Sequence, residues 1–116
     1  YSYYNSILYV DYLISNIIDY MKKNHKNFII YFVSDHGEML GFPEEHGKYG
    51  HSQLDKNCAF IPFLYYSDKY HKDLNKKIYN HYLVGKMIAK DLGYEITNPN
   101  EDGTYYIKNV HYKGYI

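Results

Sequence analysis

The sequence predicts an α/β fold, with a mixed and mostly parallel sheet flanked by helices and followed by a small antiparallel tail. Two segments, 5–24 and 75–92, carry apolar residues at helical spacing, whereas 28–34 and 59–66 are short continuous apolar runs typical of strands. Along the chain the order is helix, strand, loop, strand, helix and strand-rich tail. This alternation is typical of α/β proteins.

The first helix is predicted over residues 5–24. An apolar stripe of helical period would face a core, and it consists of Ile7, Val10, Ile14, Ile17 and Met21. Asn5 or Ser6 is a suitable N-cap. Lys22 and Lys23 suit the negative end of the helix dipole.

The two apolar runs differ in their expected environment. Residues 28–34 are continuously apolar up to Ser34, which favours a strand buried on both faces in the middle of a parallel sheet. Residues 59–66 contain Pro62, which has no N–H to donate. We therefore expect this second run to be an edge strand, or to pair only beyond Pro62.

The C-terminal part predicts a second helix and a strand-rich tail. The helix over 75–92 would end at Gly93, which is in the position of a C-terminal cap. His81 would then lie in mid-helix, as a structural or solvent-facing residue. Turn signals at 98–100 and 102–103 precede a strand predicted over 104–110, and a short strand would run on to Tyr115.

Composition excludes several classes of function. Lysine supplies all 13 basic residues against 13 acidic ones, so no basic surface for nucleic acid is expected. The single cysteine, Cys58, cannot form an intrachain disulfide and is expected to be a small buried side chain. A Cys-His nucleophilic site at Cys58 is disfavoured because no activating motif lies nearby. The sequence shows no signal peptide and no apolar run long enough to span a membrane.

Polar residues that can bind metals follow the first apolar run directly. Asp35 and His36 come at its end, where ligands bind in open α/β sheets. Carboxylate oxygen and imidazole nitrogen are zinc ligands, and adjacent residues could serve two different ions. The following glycine-containing loop adds His46 and His51. The residues alone also allow a strand-terminal turn in a non-catalytic binding module.

Four blocks resemble a known superfamily in the right order. The segments 34–41, 48–52 and 61–64 (SDHGEMLG, KYGHS and IPFL) are similar to the C-terminal metal-binding region of the alkaline phosphatase/sulfatase superfamily. The likeness is greatest to the phosphoethanolamine transferases of Gram-negative bacteria, whose helix resembles residues 4–12. The resemblance implies that residues 1–116 are a single partial domain, the C-terminal fragment of an alkaline-phosphatase-like sandwich, with the nucleophile region upstream.

The resemblance also implies roles for individual residues. Asp35 and His36 correspond to metal ligands, and His51 to a second metal ligand or a phosphate-binding histidine. Glu38 corresponds to an acidic residue that supports the ligands. The loop before His51 is longer than in the family, so His46 is the alternative occupant of the histidine position, although the Tyr49-Gly50-His51 spacing favours His51. No catalytic nucleophile is expected within the chain.

The function implied by the resemblance is zinc-dependent phosphoethanolamine transfer. It implies one or two Zn²⁺, with Mn²⁺ or Ca²⁺ as other possible ions, phosphatidylethanolamine as donor, and lipid A or another envelope glycan as acceptor. The catalytic domain would be periplasmic, with an inner-membrane anchor in a preceding segment. The chain alone is expected to be inactive and, if it is stable in isolation, to dimerise or swap strands so as to cover an open strand edge. The same motifs also fit a sulfatase, a phosphodiesterase or a phosphoglycerol transferase.

Overall fold

The computed structural model describes residues 2–51, 55–74, 79–96, 104–107 and 110–113. Their elements combine helices with short strands, which agrees with the predicted α/β class. In chain order they are α1 (Ser2–Asn24), β1 (Ile29–Val33), β2 (Met39–Leu40), a 3₁₀ turn (Pro43–Glu45), β3 (Tyr49–Gly50), α2 (Lys56–Ala59), β4 (Phe63–Ser67), α3 (His81–Asp91), β5 (Thr104–Ile107) and β6 (Val110–Lys113).

The chain divides into two compact units. Tyr1–Phe32 and Leu64–Asp73 form the first, which contains α1 and most of β1 and β4. Val33–Phe63 and Leu74–Ile116 form the second. All of the predicted site residues belong to the second unit.

Helix α1 begins earlier and is more exposed than the sequence predicts. It starts at Ser2, so Asn5 and Ser6 lie inside it, and the Ser6 hydroxyl donates to the Tyr3 carbonyl at 2.6 Å instead of capping the helix. The predicted stripe is not buried: Ile7 is 49% exposed and Ile17 is 53% exposed. Lys22 and Lys23 do lie in the last turn, as predicted. Within the described part of the chain, no helix is both long and apolar enough to cross a bilayer.

Strand β1 pairs with β4 in the first unit. The Asp68 carboxylate accepts hydrogen bonds from the N–H groups of Asn27 and Phe28, each at 3.0 Å, and the Ser67 hydroxyl donates to the Phe28 carbonyl at 2.7 Å. All five residues of β1 are only half-buried, so the prediction of a strand buried on both faces is wrong for the described structure. The physical reason is that the described sheet has two strands, and neither can be central.

The second apolar run begins later than predicted. Residues 56–59 form α2, and β4 starts at Phe63, directly after Pro62, which confirms pairing beyond the proline only. Helix α2 forms because the Asp55 side chain caps it, accepting from the Asn57 N–H at 2.7 Å. Cys58 is buried in this helix, as expected.

The C-terminal helix and tail follow the predicted order with different bounds. Asn80 caps α3 by accepting from the Leu83 N–H at 2.8 Å, so His81 is the first helical residue and not a mid-helix one. Gly93 has a φ of +86° and ends the helix, as predicted. Strands β5 and β6 pair antiparallel, with Ile107 opposite Val110, so the predicted strand over 104–110 is in fact two strands. The proposed helix start at 75–78 and the two turns at 98–100 and 102–103 lie outside the described residues.

Candidate metal centre

The segment predicted as a loop after the Asp-His pair contains an antiparallel hairpin. Met39 pairs with Gly50 and Leu40 pairs with Tyr49, so β2 and β3 flank a turn built around Pro43–Glu45. Continuing this register one step outward sets Glu38 opposite His51. Directly opposed residues in an antiparallel pair lie close together. The hairpin therefore joins two residues that are distant in sequence.

A close backbone contact holds the segment before this hairpin against α2. The Gly37 N–H donates to the Cys58 carbonyl at 2.8 Å. A Cβ atom at Gly37 would lie 2.2 Å from the carbonyl oxygen of Asn57, so this position has room for glycine only. His36, the preceding residue, is thereby kept next to α2.

Three side chains converge between these elements. His36, Glu38 and His51 each offer one ligand atom, and these atoms all lie within 4.8 Å of one another. The two imidazole rings have centroids 4.5 Å apart and are tilted by 31°. Both histidines are exposed and Glu38 is half-buried, so a metal ion could enter from solvent. Two nitrogen donors and one carboxylate are a donor set that suits zinc, with a further position left for water or substrate.

A backbone carbonyl decides which nitrogen of His36 can bind a metal. The Nδ1 atom lies 2.9 Å from the Gly37 carbonyl oxygen, which can only accept, so Nδ1 carries the proton. The neutral ring then presents the lone pair of Nε2 as the ligand atom. This bond raises the pKa of His36 above 6.5, the charges of Asp35 and Glu38 act in the same direction, and partial desolvation opposes them.

Asp35 lies beside His36 and is ionised. Its Oδ2 atom is 3.7 Å from His36 Nε2, and its Oδ1 atom accepts from the His36 N–H at 3.0 Å. Hydrogen bonds from the backbone N–H groups of His36 and Asp35, then the His36 charge, lower the pKa of Asp35 below 3.8. The side chain is 87% exposed. It is thus an accessible carboxylate next to the three-residue group, of which it is not a member.

The structure brings together only some of the predicted site residues. His36 and His51 meet, together with Glu38, which was predicted to support the ligands and here offers a ligand atom itself. His46 ends the 3₁₀ turn with a left-handed backbone (φ 53°), is exposed, and is not part of the group. Whether these residues bind metal or phosphate stays a prediction.

Two residues near the site were not predicted from the sequence to belong to it. Glu45 is only 3% exposed and joins the hairpin turn to α2 through hydrogen bonds. The His81 Nε2 atom lies 2.6 Å from the Ser34 carbonyl oxygen, so the start of α3 contacts the residue before Asp35. The Pro43-Glu44-Glu45 order is compatible with a short helical turn, and this is the signal that could have pointed to Glu45. No local pattern marks His81.

This arrangement defines a class of protein: an α/β chain with a candidate divalent-metal centre in the segment that follows a strand. The model of the Sulfatase family matches residues 1–94. Because the match covers more than half of the 116 residues, the chain belongs to the Sulfatase family. The family lies within the alkaline phosphatase/sulfatase superfamily of hydrolases and transferases, whose members generally use divalent metals. No curated protein and no solved structure matches the chain.

Proposed function

We propose that this chain is the metal-binding portion of a zinc-dependent phosphoethanolamine transferase. The observation that carries the proposal is that His36, Glu38 and His51 lie close together in a chain of the Sulfatase family. The SDHGEMLG and KYGHS segments, which supply these residues, favour a phosphoethanolamine transferase among the members of the superfamily.

The residues present fit a zinc ion. His36 through Nε2, His51 and the Glu38 carboxylate would hold it, and the accessible Asp35 carboxylate is available to the same or to a second ion. Bound there, zinc would supply Lewis-acid stabilisation of negative charge on the transferring phosphoryl group. His51 is exposed and could instead contact a phosphate oxygen. Mn²⁺ and Ca²⁺ are the other candidate ions.

The remaining parts of the proposal come from the resemblance. The chain would complete a mostly parallel sheet in an alkaline-phosphatase-like sandwich, and the nucleophilic hydroxyl would come from sequence upstream of Tyr1. Phosphatidylethanolamine would be the donor, and lipid A or another envelope glycan the acceptor. The catalytic domain would then lie in the periplasm, anchored to the inner membrane by a preceding segment.

The first test is metal content. The purified protein, prepared without chelator, should contain one or two zinc ions per chain by mass spectrometry. His36→Ala and His51→Ala should lose metal while circular dichroism shows an unchanged fold, because each removes a nitrogen donor. His46→Ala is the matched control and should retain it. A wild-type protein without metal even after dialysis against Zn²⁺ would overturn the proposal.

A sulfatase is the second candidate function, and the family match itself favours it. The transferase and sulfatase hypotheses differ in the ester that the intact enzyme cleaves. The longest expressible form should be assayed with an aryl sulfate, a phosphodiester and phosphatidylethanolamine. Turnover of the phospholipid with transfer of its headgroup supports the transferase, whereas turnover of the sulfate ester alone would replace it with the sulfatase.

A further inference from the structure

Glu45 is a buried carboxylate that bonds to two different elements of the site. It is 3% exposed. Its Oε2 atom accepts from the backbone N–H groups of Leu40 and Phe42, each at 2.8 Å, and its Oε1 atom accepts from the Asn57 side-chain amide at 2.6 Å. A buried carboxylate is strongly destabilising unless hydrogen bonds satisfy it. Here both oxygens are satisfied, which fixes the side chain in one place.

On one side, Glu45 holds the hairpin. Leu40, whose N–H it accepts, pairs with Tyr49 in the register that sets Glu38 opposite His51. Each strand of this hairpin has only two residues, so ladder hydrogen bonds alone fix the register weakly. A slip by one residue would turn one of the two side chains to the other face. The bonds of Glu45 to the turn oppose such a slip.

On the other side, Glu45 holds α2. Asn57 lies in this helix, and the carbonyl of the next residue, Cys58, accepts from the Gly37 N–H. Gly37 follows His36 directly, and a Cβ atom added to Gly37 would clash with the Asn57 backbone. The position of α2 thus sets the position of His36, while the hairpin sets those of Glu38 and His51.

The charge of Glu45 is retained in this environment. Burial acts to raise its pKa, but hydrogen bonds from Phe42, Asn57, Leu40 and Gly41 together outweigh burial and hold the pKa below 4.5. Hydrogen bonds to an ionised acceptor are about twice as strong as neutral ones. An ionised Glu45 therefore binds the hairpin and α2 to each other more strongly than a neutral side chain would.

We propose that Glu45 is a positioning residue, which fixes the distance from His36 to Glu38 and His51 and thereby sets the metal affinity of the centre. It is not itself a ligand. The inference rests on the proposed metal site and adds to it a residue that neither the motif nor the family match assigns. Residues that orient ligands typically contribute about 10- to 100-fold to metal affinity.

A charge exchange between positions 45 and 57 tests this role. In Glu45→Gln the amide nitrogen faces the Asn57 amide, and the charge is lost. In Asn57→Asp a second carboxylate faces Glu45 across the contact that is 2.6 Å in the wild type. The double variant Glu45→Gln/Asn57→Asp restores one donor, one acceptor and one negative charge. Glu95→Gln, at an exposed position, is the matched control.

The measurements are Zn²⁺ affinity by calorimetry and the visible absorption of the Co²⁺-substituted protein, with urea unfolding recorded in parallel. Each single variant should bind Zn²⁺ about 10-fold more weakly and change the Co²⁺ spectrum. The double variant should recover both, and Glu95→Gln should match the wild type. A loss of stability alone would leave the Co²⁺ spectrum of the folded fraction unchanged.

The outcomes separate this inference from the proposed function. A wild type that binds no Zn²⁺ overturns the metal site and this role together. A wild type that binds, with folded single variants of equal affinity and spectrum, overturns the role of Glu45 and leaves the metal site intact. If Asn57→Asp does not fold, Glu45→Gln decides, because glutamine keeps the shape and the acceptor for Leu40 and Phe42.

Discussion

At the scale of the residue, proton and metal compete for His36. The Gly37 carbonyl fixes the proton on Nδ1, and the remaining nitrogen is free to bind either a second proton or a metal ion. Asp35 and Glu38 stabilise positive charge at this place, whether an imidazolium or a cation carries it. The same electrostatic environment that would attract zinc therefore also makes the ring easier to protonate.

Metal affinity should consequently fall with acidity. The pKa of His36 is raised above 6.5, so folding favours the imidazolium; that stabilisation is present below pH 6.5 and is lost as the pH rises through the raised pKa. Zinc requires the neutral ring, so below this pKa its affinity should drop by at least about tenfold per pH unit, because zinc must displace the His36 proton. Calorimetric titrations at a series of pH values from about 8 to about 5.5 would measure it. An affinity that is constant over this range would contradict the assignment of His36 as a ligand.

Gly37 is the second residue on which the site depends, because the backbone of α2 leaves no room for a side chain there. In Gly37→Ala the new Cβ would lie 2.2 Å from the Asn57 carbonyl oxygen, so α2 must move away. We expect a loss of about 1–3 kcal/mol in the free energy of unfolding, together with weaker zinc binding, measured by urea denaturation and calorimetry.

Gly85→Ala is the control for this substitution. Gly85 lies inside α3, and a Cβ there meets nothing within 4 Å. Alanine is the better helix former, so this variant should gain about 0.5–1 kcal/mol. Equal stability of the two alanine variants would show that α2 does not pack on Gly37 as described.

At the scale of the element, periodic patterns predicted those helices and strands that form because of their own local sequence. Helix α1, strand β1 and the glycine-terminated α3 are marked by their own residues, although their bounds differ from the prediction. The hairpin of β2 and β3 is not, because strands of two residues show no alternation. Its pairing depends on hydrogen bonds that Glu45 accepts from the backbone, and no local pattern reveals that Glu45 is buried.

The candidate site was predictable to a similar extent. Asp35, His36 and His51 follow from the motif, and two of them do meet in the structure. The motif predicts Glu38 as a residue that supports the ligands, but its place beside the two histidines comes from the hairpin register, which is a property of the paired strands. The contacts of the site with α2 and α3 depend on packing between elements that are distant in sequence. The local sequence therefore does not predict them.

At the scale of the whole molecule, helix α1 leaves much apolar surface exposed to solvent. No residue of this helix is buried, and Leu8 is 67% exposed. Burying apolar surface contributes about 25 cal/mol per Å², so covering this helix would contribute favourably to association. The exposed apolar surface of α1 is thus a second physical reason, besides an open strand edge, to predict that the chain dimerises.

Sedimentation velocity at micromolar concentrations tests that prediction. The wild type should sediment as a dimer, and Leu8→Lys/Ile17→Lys should shift it toward monomer, because both replaced side chains are exposed and apolar. Leu92→Lys, at a 70% exposed position in the other unit, is the matched control and should leave the dimer unchanged. A monomeric wild type would contradict the prediction.

The pairing of Met39 with Gly50 also bears on how related chains should be aligned. As long as Glu45 and its hydrogen bonds to Leu40 and Phe42 are kept, a change in the number of turn residues between Leu40 and Tyr49 leaves the opposed side chains the same. One residue added inside either strand would move the side chains that follow it to the opposite face of the hairpin. Gaps therefore belong in the turn, and a histidine equivalent to His51 is found by counting outward from the strand pairs, never by its distance from the Asp-His motif.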